Sequence, residues 1–329
     1  MLGGAVYFLM FIGLFTIIMI FILSGSKGQK IKINDEISNK YKDMAYELIN
    51  NNSKLNEQRR KHKLFSFLRA MLLISVPVSM MYAFYSHMMI LLLTPILCIV
   101  LIIVINKYDK DNDIFDEIIP DIIKKQHKDF KYDHRKGMDR NIYNEARFES
   151  YDRYRSDDFI EGKVCGYDFT MAEVHTESEH TDSDGDTHYV TVFHGAFSKV
   201  KLDKDLGCFI NIINNRIKLF SRDYYTTIDN EAFEKIYDVF TDDKIKTLRF
   251  LTPDVTTKMI DLYNETGIYC EVKISYSDLY IRLYTGSLFN FSFSNPEKEA
   301  LMVGKSLAII DSVFKVMENF IKEVEEFDV

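Results

Sequence analysis

The sequence lacks the short motifs that mark common nucleotide-binding and hydrolytic enzymes. It has no tryptophan, and its 14 glycines and 5 prolines among 329 residues form neither a phosphate-binding loop nor a serine nucleophile elbow. A His-Glu-x-x-His zinc motif is also missing. The four cysteines show no CxxC spacing, so no zinc ribbon and no disulfide framework is predicted. With no catalytic motif in the chain, we predict a non-catalytic role.

Charge is distributed unevenly along the chain. Residues 1–106 contain 11 Lys and Arg against 5 Asp and Glu, a net of +6, whereas residues 107–329 contain 30 against 44, a net of −14. A nucleic-acid-binding surface needs basic side chains that replace the counterions of the phosphates. The acidic C-terminal two-thirds therefore argues against a nucleic-acid partner.

Two long apolar segments predict a membrane protein. Leu64–Ile105 is almost unbroken apolar sequence, and a bilayer core of about 30 Å needs only about 20 helical residues. We therefore predict a transmembrane helical hairpin with its tip near Ser86. Leu2–Leu23 carries no charge, and it lacks the basic start and the cleavage site of a signal peptide. We expect it to be an uncleaved transmembrane anchor.

The segment between these spans predicts the topology. It ends in basic residues directly before the hairpin: Arg59, Arg60, Lys61 and Lys63. Short basic loops remain cytoplasmic, and both ends of a hairpin lie on one side of the membrane. We therefore predict a multi-pass protein of the cell membrane, with the N-terminus outside and residues 107–329 cytoplasmic. The basic residues are expected to contact anionic lipid headgroups in the bilayer.

Apolar residues within this basic segment recur at helical spacing, at Ile33, Ile37, Tyr41, Met44 and Leu48. The spacing predicts an amphipathic helix. Its apolar stripe fits a coiled-coil partner, self-association or the membrane surface. It fits equally well a helix that packs on the protein's own C-terminal domain.

From residue 151 the hydrophobic period changes to two. Gly166–Val174 and His188–Val200 are predicted strands with a polar hairpin tip at 177–187, and Leu206–Asn214 is predicted to pair with Arg216–Ser221.

The last part of the chain carries clear local signals. Ile268–Ile274 and residues 279–283 alternate on either side of a predicted turn at Ser275–Asp278. Thr252 as N-cap, Pro253 at the first helical position and Gly267 as the terminating residue predict a helix before them, and a long helix, Glu297–Glu325, follows. Strands with packed helices predict an α+β fold with an antiparallel sheet. The predicted organisation is an anchor (1–24), an amphipathic helix (25–63), a hairpin (64–106), a connector (107–150) and a cytoplasmic domain (151–329).

The one dense group of potential metal ligands lies on the predicted hairpin, at His175, Glu177, His188 and His194. Imidazole and carboxylate groups that converge can bind a divalent metal, and we expect His175 and His188 to pair across the strands. The alternative is a solvated acidic tip without a cofactor. A calcium loop that begins at Asp182 is excluded because Gly185 is its fourth residue, whereas such a loop needs glycine as its sixth.

Several segments resemble an uncharacterised family of bacterial multi-pass membrane proteins that carry a cytoplasmic domain of unknown function. The resembling segments are 118–123, 151–162, 172–177, 192–197, 233–243 and 251–253. The resemblance implies a membrane hairpin, preceded by a helical segment and followed by a cytoplasmic α+β domain. It implies no activity and no cofactor. Its recurring Arg153, Asp157-Asp158 and Glu173 fit a structural role equally well, because caps and turn-setting acids explain them without chemistry.

Three functions remain open at this level. The first is a non-catalytic, membrane-tethered interaction or regulatory module with a protein partner. The second is a metal-dependent enzyme that uses the hairpin at 175–194. The third is a component of a transport system. The prolines at 77 and 95 are the only feature that favours it, and the lack of charged residues at the membrane midplane argues against it.

Overall fold

The computed structural model describes residues 35–86, 94–108, 116, 118–215, 224–289, 291 and 293–327. The anchor predicted at Leu2–Leu23 and the tip residue His87 lie outside these residues. The chain divides into two compact units. One includes residues 52–113, and the other includes residues 31–51 together with residues 114–329.

The described part of the chain contains helices and a single nine-stranded sheet. The helices are α1 (Asp35–Asn51), α2 (Ser53–Ser86), α3 (Thr94–Tyr108), α4 (Ile119–Gln126), α5 (Arg140–Ala146), α6 (Glu231–Glu234), α7 (Lys244–Phe250), α8 (Pro253–Thr266) and α9 (Pro296–Glu326). The strands are β1 (Lys131–Asp133), β2 (Arg153–Val164), β3 (Tyr167–Thr181), β4 (Thr187–Lys201), β5 (Phe209–Asn214), β6 (Tyr225–Thr226), β7 (Tyr237–Thr241), β8 (Cys270–Ser275) and β9 (Asp278–Leu283). This content confirms the predicted α+β class.

Helices α2 and α3 run antiparallel in the first unit. Three side-chain contacts, at successive levels, define their register: Arg69 with Asn106, Ser75 with Cys98, and Thr94 with Ser79. Ser53–Ser79 is the one helical segment, within the described residues, that is long and apolar enough to cross a membrane. The apolar segment Ile96–Tyr108 is shorter.

The basic residues before the hairpin lie in the first turns of α2. Arg60, Lys61 and Lys63 are exposed, and Lys61 pairs with Glu57 at 2.9 Å. Arg59 differs from the expectation, because it is only 6% exposed and its guanidinium donates a hydrogen bond to Asn56. The expected contact with lipid headgroups would therefore involve only Arg60, Lys61 and Lys63.

Helix α1 packs against α9 in the second unit. Among the residues of α1 whose burial is described, Tyr41, Ala45 and Ile49 are buried, and they are spaced four apart on one face. The predicted stripe residues Ile33 and Ile37 lie outside that set. This confirms the alternative in which the amphipathic helix packs on the protein's own domain. The buried stripe is centred on Ala45, whereas the predicted Met44 and Leu48 are half-buried at its border. The small side chain lets two long helices approach closely.

The sheet order is β1-β2-β3-β4-β9-β8-β5-β7-β6, and all neighbouring strands are antiparallel. Helix α9 covers one face, where the Phe314 ring lies 4.7 Å from that of Phe130 and 4.9 Å from that of Phe169. The opposite face of β2, β3 and β4 packs on α5, around Tyr143, Phe193 and related core residues. Alternating side chains along each strand therefore enter two different cores.

Capping, turn and periodicity patterns in the sequence predicted several helices and strands correctly. The α8 cap follows the predicted pattern, with Thr252 accepting from the Val255 N–H and Gly267 ending the helix at φ 69°. The β8–β9 turn and α9 also lie where they were predicted. The hairpin tip between β3 and β4 is shorter than predicted, because both strands continue to residues 181 and 187.

Two expectations about the sheet need correction. Residues 107–150 were predicted to be a connector, yet the described part of this segment contributes α4, β1 and α5 to the folded domain. Strand β2 was not predicted, because Asp157 and Asp158 interrupt its apolar alternation. β5 was expected to pair with 216–221, a segment outside the described residues, and it pairs instead with β7 and β8.

Candidate carboxylate–histidine site

The β3–β4 hairpin decides which predicted metal ligands meet. His175 lies directly opposite His194, and their rings stack with centroids 4.4 Å apart. His188 lies opposite His180 instead, nearer the tip, with its Nδ1 3.6 Å from Asp182 Oδ2. The predicted pairing of His175 with His188 is therefore wrong. The turn between Thr181 and Thr187 determines this outcome, because residues at equal distances from the turn lie opposite each other.

His175 and Glu177 occupy the outer part of the same face. His175 Nε2 lies 3.1 Å from the Thr191 hydroxyl and 3.9 Å from Glu177 Oε1. Arg155 reaches Glu177 at 3.4 Å and partly neutralises it. Burial, and then the neighbouring His194, lower the pKa of His175 from its ordinary value. These residues form a polar surface in which the carboxylate already has a cationic partner.

Further in along this face, three carboxylates converge. One oxygen of each of Asp157, Asp158 and Glu173 lies within 4.8 Å of the others, and we call these three residues the carboxylate cluster. A β-bulge in β2 produces the convergence. Asp157 lies opposite Glu173, Ile160 lies opposite Met171, and Asp158 adopts a left-handed backbone with φ 52° between them. The extra residue turns a second carboxylate toward the same place.

Hydrogen bonds hold two of these carboxylates in fixed positions. His194 Nε2 donates to Glu173 Oε1 at 2.9 Å, and the Leu288 N–H donates to Glu173 Oε2 at 2.6 Å. On the other side, Asp158 Oδ1 accepts from Tyr132 and lies 2.7 Å from His134 Nδ1. Five separate segments of the domain thus meet at the cluster.

Gly195 allows the chain after β9 to pass close to β4 and reach the carboxylate cluster. A Cβ at Gly195 would lie 1.9 Å from the Leu283 carbonyl oxygen, so only glycine fits here. The close approach lets the chain after β9 cross over β4, where the Gly286 N–H donates to the His194 carbonyl. The same crossing brings the Leu288 N–H to Glu173.

The electrostatics of the cluster disfavour three negative charges. Burial, followed by Glu173 and Asp158, raises the pKa of Asp157 to about 6. Burial also raises the pKa of Asp158, against the opposing hydrogen bonds from His134 and Tyr132. Among the described residues, the three carboxylates form no ion pair with a lysine or arginine. The charge of the cluster is therefore poorly compensated by the protein.

Reasoning from sequence missed this cluster. Asp157-Asp158 and Glu173 were noted as recurring residues and were assigned to caps and turns. The sequence did contain one signal for the cluster: Asp157 and Asp158 are adjacent acids inside a segment whose other residues are typical of a strand. Such a pair is typical of a bulge, and bulges often re-aim side chains beside functional sites. His194 is the one predicted ligand that contacts the cluster.

Comparison with known proteins identifies a domain but no activity. Residues 191–328 match the family described as "Protein of unknown function (DUF3137)". A DUF3137 domain is found there, in agreement with the resemblance to a domain of unknown function. It includes His194 and Gly195, whereas the carboxylate cluster precedes it.

No curated protein matches the chain. One solved structure that is similar is the mycobacterial trehalose monomycolate transport factor A, TtfA, with 10% sequence identity and a TM-score of 0.29. That similarity covers 56% of this chain and 88% of the other. At this level it supports no conclusion about fold or function.

Proposed function

We propose that this chain is a membrane-tethered interaction or regulatory module. In this proposal the α2–α3 hairpin lies in the bilayer, and the acidic α+β domain works at the cytoplasmic surface. One observation carries the proposal. The hairpin exposes apolar side chains on its outside, while its few polar side chains bond to each other between the helices.

The exterior of the hairpin is apolar along most of its length. Large apolar side chains are exposed on both helices: Leu64, Phe67, Met71, Ile74 and Val78 on α2, and Ile96, Leu97, Ile99, Val100 and Ile103 on α3. A water-soluble domain rarely exposes contiguous apolar surface of this extent. Hydrocarbon is the solvent in which such a surface is favourable.

The polar groups of the hairpin also support a location in the membrane. Thr94 donates to Ser79 Oγ at 2.7 Å, and Ser75 Oγ lies 3.4 Å from Cys98 Sγ. Arg69, the one charged residue in 64–105, donates to Asn106 at 2.8 Å near the end of the pair. Polar side chains that satisfy each other between helices are characteristic of membrane helix pairs. A transport path would need charged groups nearer the midplane.

The charge distribution supports the orientation. Exposed basic residues at Arg60, Lys61 and Lys63 precede the apolar part of α2, and short loops of this kind remain in the cytoplasm. Because both ends of a two-pass hairpin share one side, the C-terminal domain would lie in the same compartment. The basic residues would then lie within reach of anionic headgroups.

Labelling of exposed cysteines in intact cells tests this topology, because Cys98, Cys208 and Cys270 are buried. Cys165 is an exposed thiol on the domain, and a Ser86→Cys substitution places a second thiol at the hairpin tip. A membrane-impermeant maleimide at pH 8 should label the tip cysteine in intact cells and label Cys165 only after lysis. A Ser86→Cys/Cys165→Ser variant provides the control for the assignment of each label.

Two results would contradict the proposal. Labelling of Cys165 in intact cells would place the domain outside. Release of the full-length protein from membranes by alkaline carbonate would show that the hairpin does not cross the bilayer.

A further inference from the structure

Most of the exposed hydrophobic side chains of the α+β domain lie at one end of its sheet. Among the described residues from 114 onward, five large hydrophobic side chains are exposed, and four of them share this end: Tyr224, Ile245, Leu248 and Tyr276. We call these four residues the hydrophobic end. We propose that the hydrophobic end contacts the headgroup region of a phospholipid bilayer. This inference rests on the proposed function, because the membrane tether holds the domain near the bilayer.

Strand pairing places these residues together. Phe209 begins β5 and lies opposite Ser275, the last residue of β8. Ile210 lies opposite Thr241, the last residue of β7. Because Tyr276 follows β8 and α7 follows β7, both leave the sheet at the end where β5 begins.

Contacts through the start of β5 join these segments into one surface. Lys246 Nζ on α7 donates to the Leu206 carbonyl at 3.1 Å, and the Leu206 N–H donates to the Tyr276 carbonyl at 3.2 Å. The Tyr224 ring packs on that of Phe209, with centroids 5.5 Å apart. A soluble domain seldom gathers its exposed hydrophobic side chains in one place without a partner that covers them.

Basic side chains border the hydrophobic residues of α7. Lys244 and Arg249 are exposed, and neither forms an ion pair with a carboxylate in the part of the chain that the structure describes. Residues four apart are neighbours on a helix surface, so Lys244 lies beside Leu248 and Ile245 lies beside Arg249. The acids at this end each accept a hydrogen bond from a backbone N–H: Asp205, Asp242 and Asp243. The two cations are therefore available to an anionic group outside the protein.

These side chains fit a bilayer surface. Tyrosine is enriched at the level of the headgroups, because its ring is apolar and its hydroxyl group remains in water. Isoleucine and leucine beside lysine and arginine are typical of segments that lie at the boundary between headgroups and acyl chains. Lys244 and Arg249 can pair with lipid phosphates while Ile245 and Leu248 enter this boundary.

The opposite end of the domain is acidic, which favours one orientation at an anionic membrane. β4 begins at the hairpin tip and ends at Lys201, opposite Asp278 and close in sequence to Tyr276. Its 15 residues span roughly 45 Å at about 3.3 Å per residue. The tip and its flanks carry five acids: Glu177, Glu179, Asp182, Asp184 and Asp186. Anionic headgroups repel that end and attract Lys244 and Arg249 at the other.

Fluorescence quenching by lipids in nanodiscs tests the proposal on the full-length protein. Cys165→Ser removes the exposed thiol, and Ile245→Cys then adds one at the hydrophobic end. An environment-sensitive fluorophore on this cysteine should emit at shorter wavelength in discs of phosphatidylcholine and phosphatidylglycerol. Nitroxide groups on the acyl chains should quench it. Val190→Cys, an exposed hydrophobic position near the acidic tip, is the matched control and should show neither effect.

A labelled Ile74→Cys on the exterior of α2 separates two kinds of failure. Quenching at Ile74 without quenching at Ile245 would overturn this inference and leave the membrane tether intact. An unquenched Ile74 would contradict the tether itself, and with it this inference. A shift of emission at Ile245 without quenching by lipid would show that a protein or a second copy covers the surface, which would also overturn the inference.

A charge substitution provides the last check. Leu248→Glu in the labelled Ile245→Cys protein should abolish the quenching, because a carboxylate is unfavourable at the acyl boundary. The side chain of Leu248 is exposed, so the melting temperature should not change. Quenching that persists in this variant at an unchanged melting temperature would contradict the proposed contact.

Discussion

Substitution of Arg282 by methionine should destabilise the domain strongly. Arg282 is 2% exposed and lies between two carboxylates, with its Nε 2.5 Å from Glu271 Oε2 and its Nη1 bonded to Glu149. Glu271 is fully buried, and its other oxygen accepts from the backbone and side-chain nitrogens of Asn214. Burial acts against the charged guanidinium, but the carboxylates, Glu271 first, keep the pKa of Arg282 above its ordinary value.

The expected loss of stability arises from the negative charge that remains on Glu271. Methionine retains much of the apolar volume, but it leaves the Glu271 carboxylate buried without a cation. Removal of one partner from a buried ion pair costs about 3–5 kcal/mol. Because domains are stable by only about 5–15 kcal/mol, this loss is a large fraction of the total. Glu149 should contribute less, because its side chain is 14% exposed and reaches water.

Urea unfolding of the full-length protein in detergent measures the effect. The single variant should lower the midpoint in proportion to the loss of about 3–5 kcal/mol. The double variant Arg282→Met/Glu271→Gln removes both charges and should recover part of the stability. A single variant that loses less than about 1 kcal/mol would refute the buried-charge argument, given the usual cost of such breaks. A double variant no more stable than the single one would also refute it.

Two further predictions concern the candidate site. Gly195→Ala should destabilise the domain by about 1–3 kcal/mol, because the new Cβ meets the Leu283 carbonyl; urea unfolding with Ala196→Gly as a comparison measures it. The pKa of Asp157 rises to about 6 in the fold, above its unfolded value, so the ionised carboxyl disfavours folding and the penalty disappears at low pH. The stability advantage of Asp157→Asn over wild type should grow by about 1 kcal/mol between pH 4 and pH 7, because Asp157 is exposed and solvent screens much of the effect. A constant advantage across this range would contradict the prediction.

Local sequence signals determined a large part of the fold. Thr252, Pro253 and Gly267 marked the ends of α8, because caps and left-handed termini depend on residues a few positions apart. Alternating residues marked β8 and β9, and the apolar spacing of the last 30 residues marked α9. The α+β class followed from these elements. The apolar run that forms α2 and α3 was equally evident, because its composition alone distinguishes it from the rest.

The tertiary structure alone decided the candidate site. Strand register determines which side chains face each other, and a shift of one residue exchanges the two faces of a strand. The register placed His175 against His194 and left His188 near the tip. The bulge at Asp158 depends on the pairing of β2 with β3, which no periodicity revealed. The carboxylates of Asp157, Asp158 and Glu173 meet only because long-range pairing and the crossing at Gly195 bring distant segments together, and local sequence does not encode those distances.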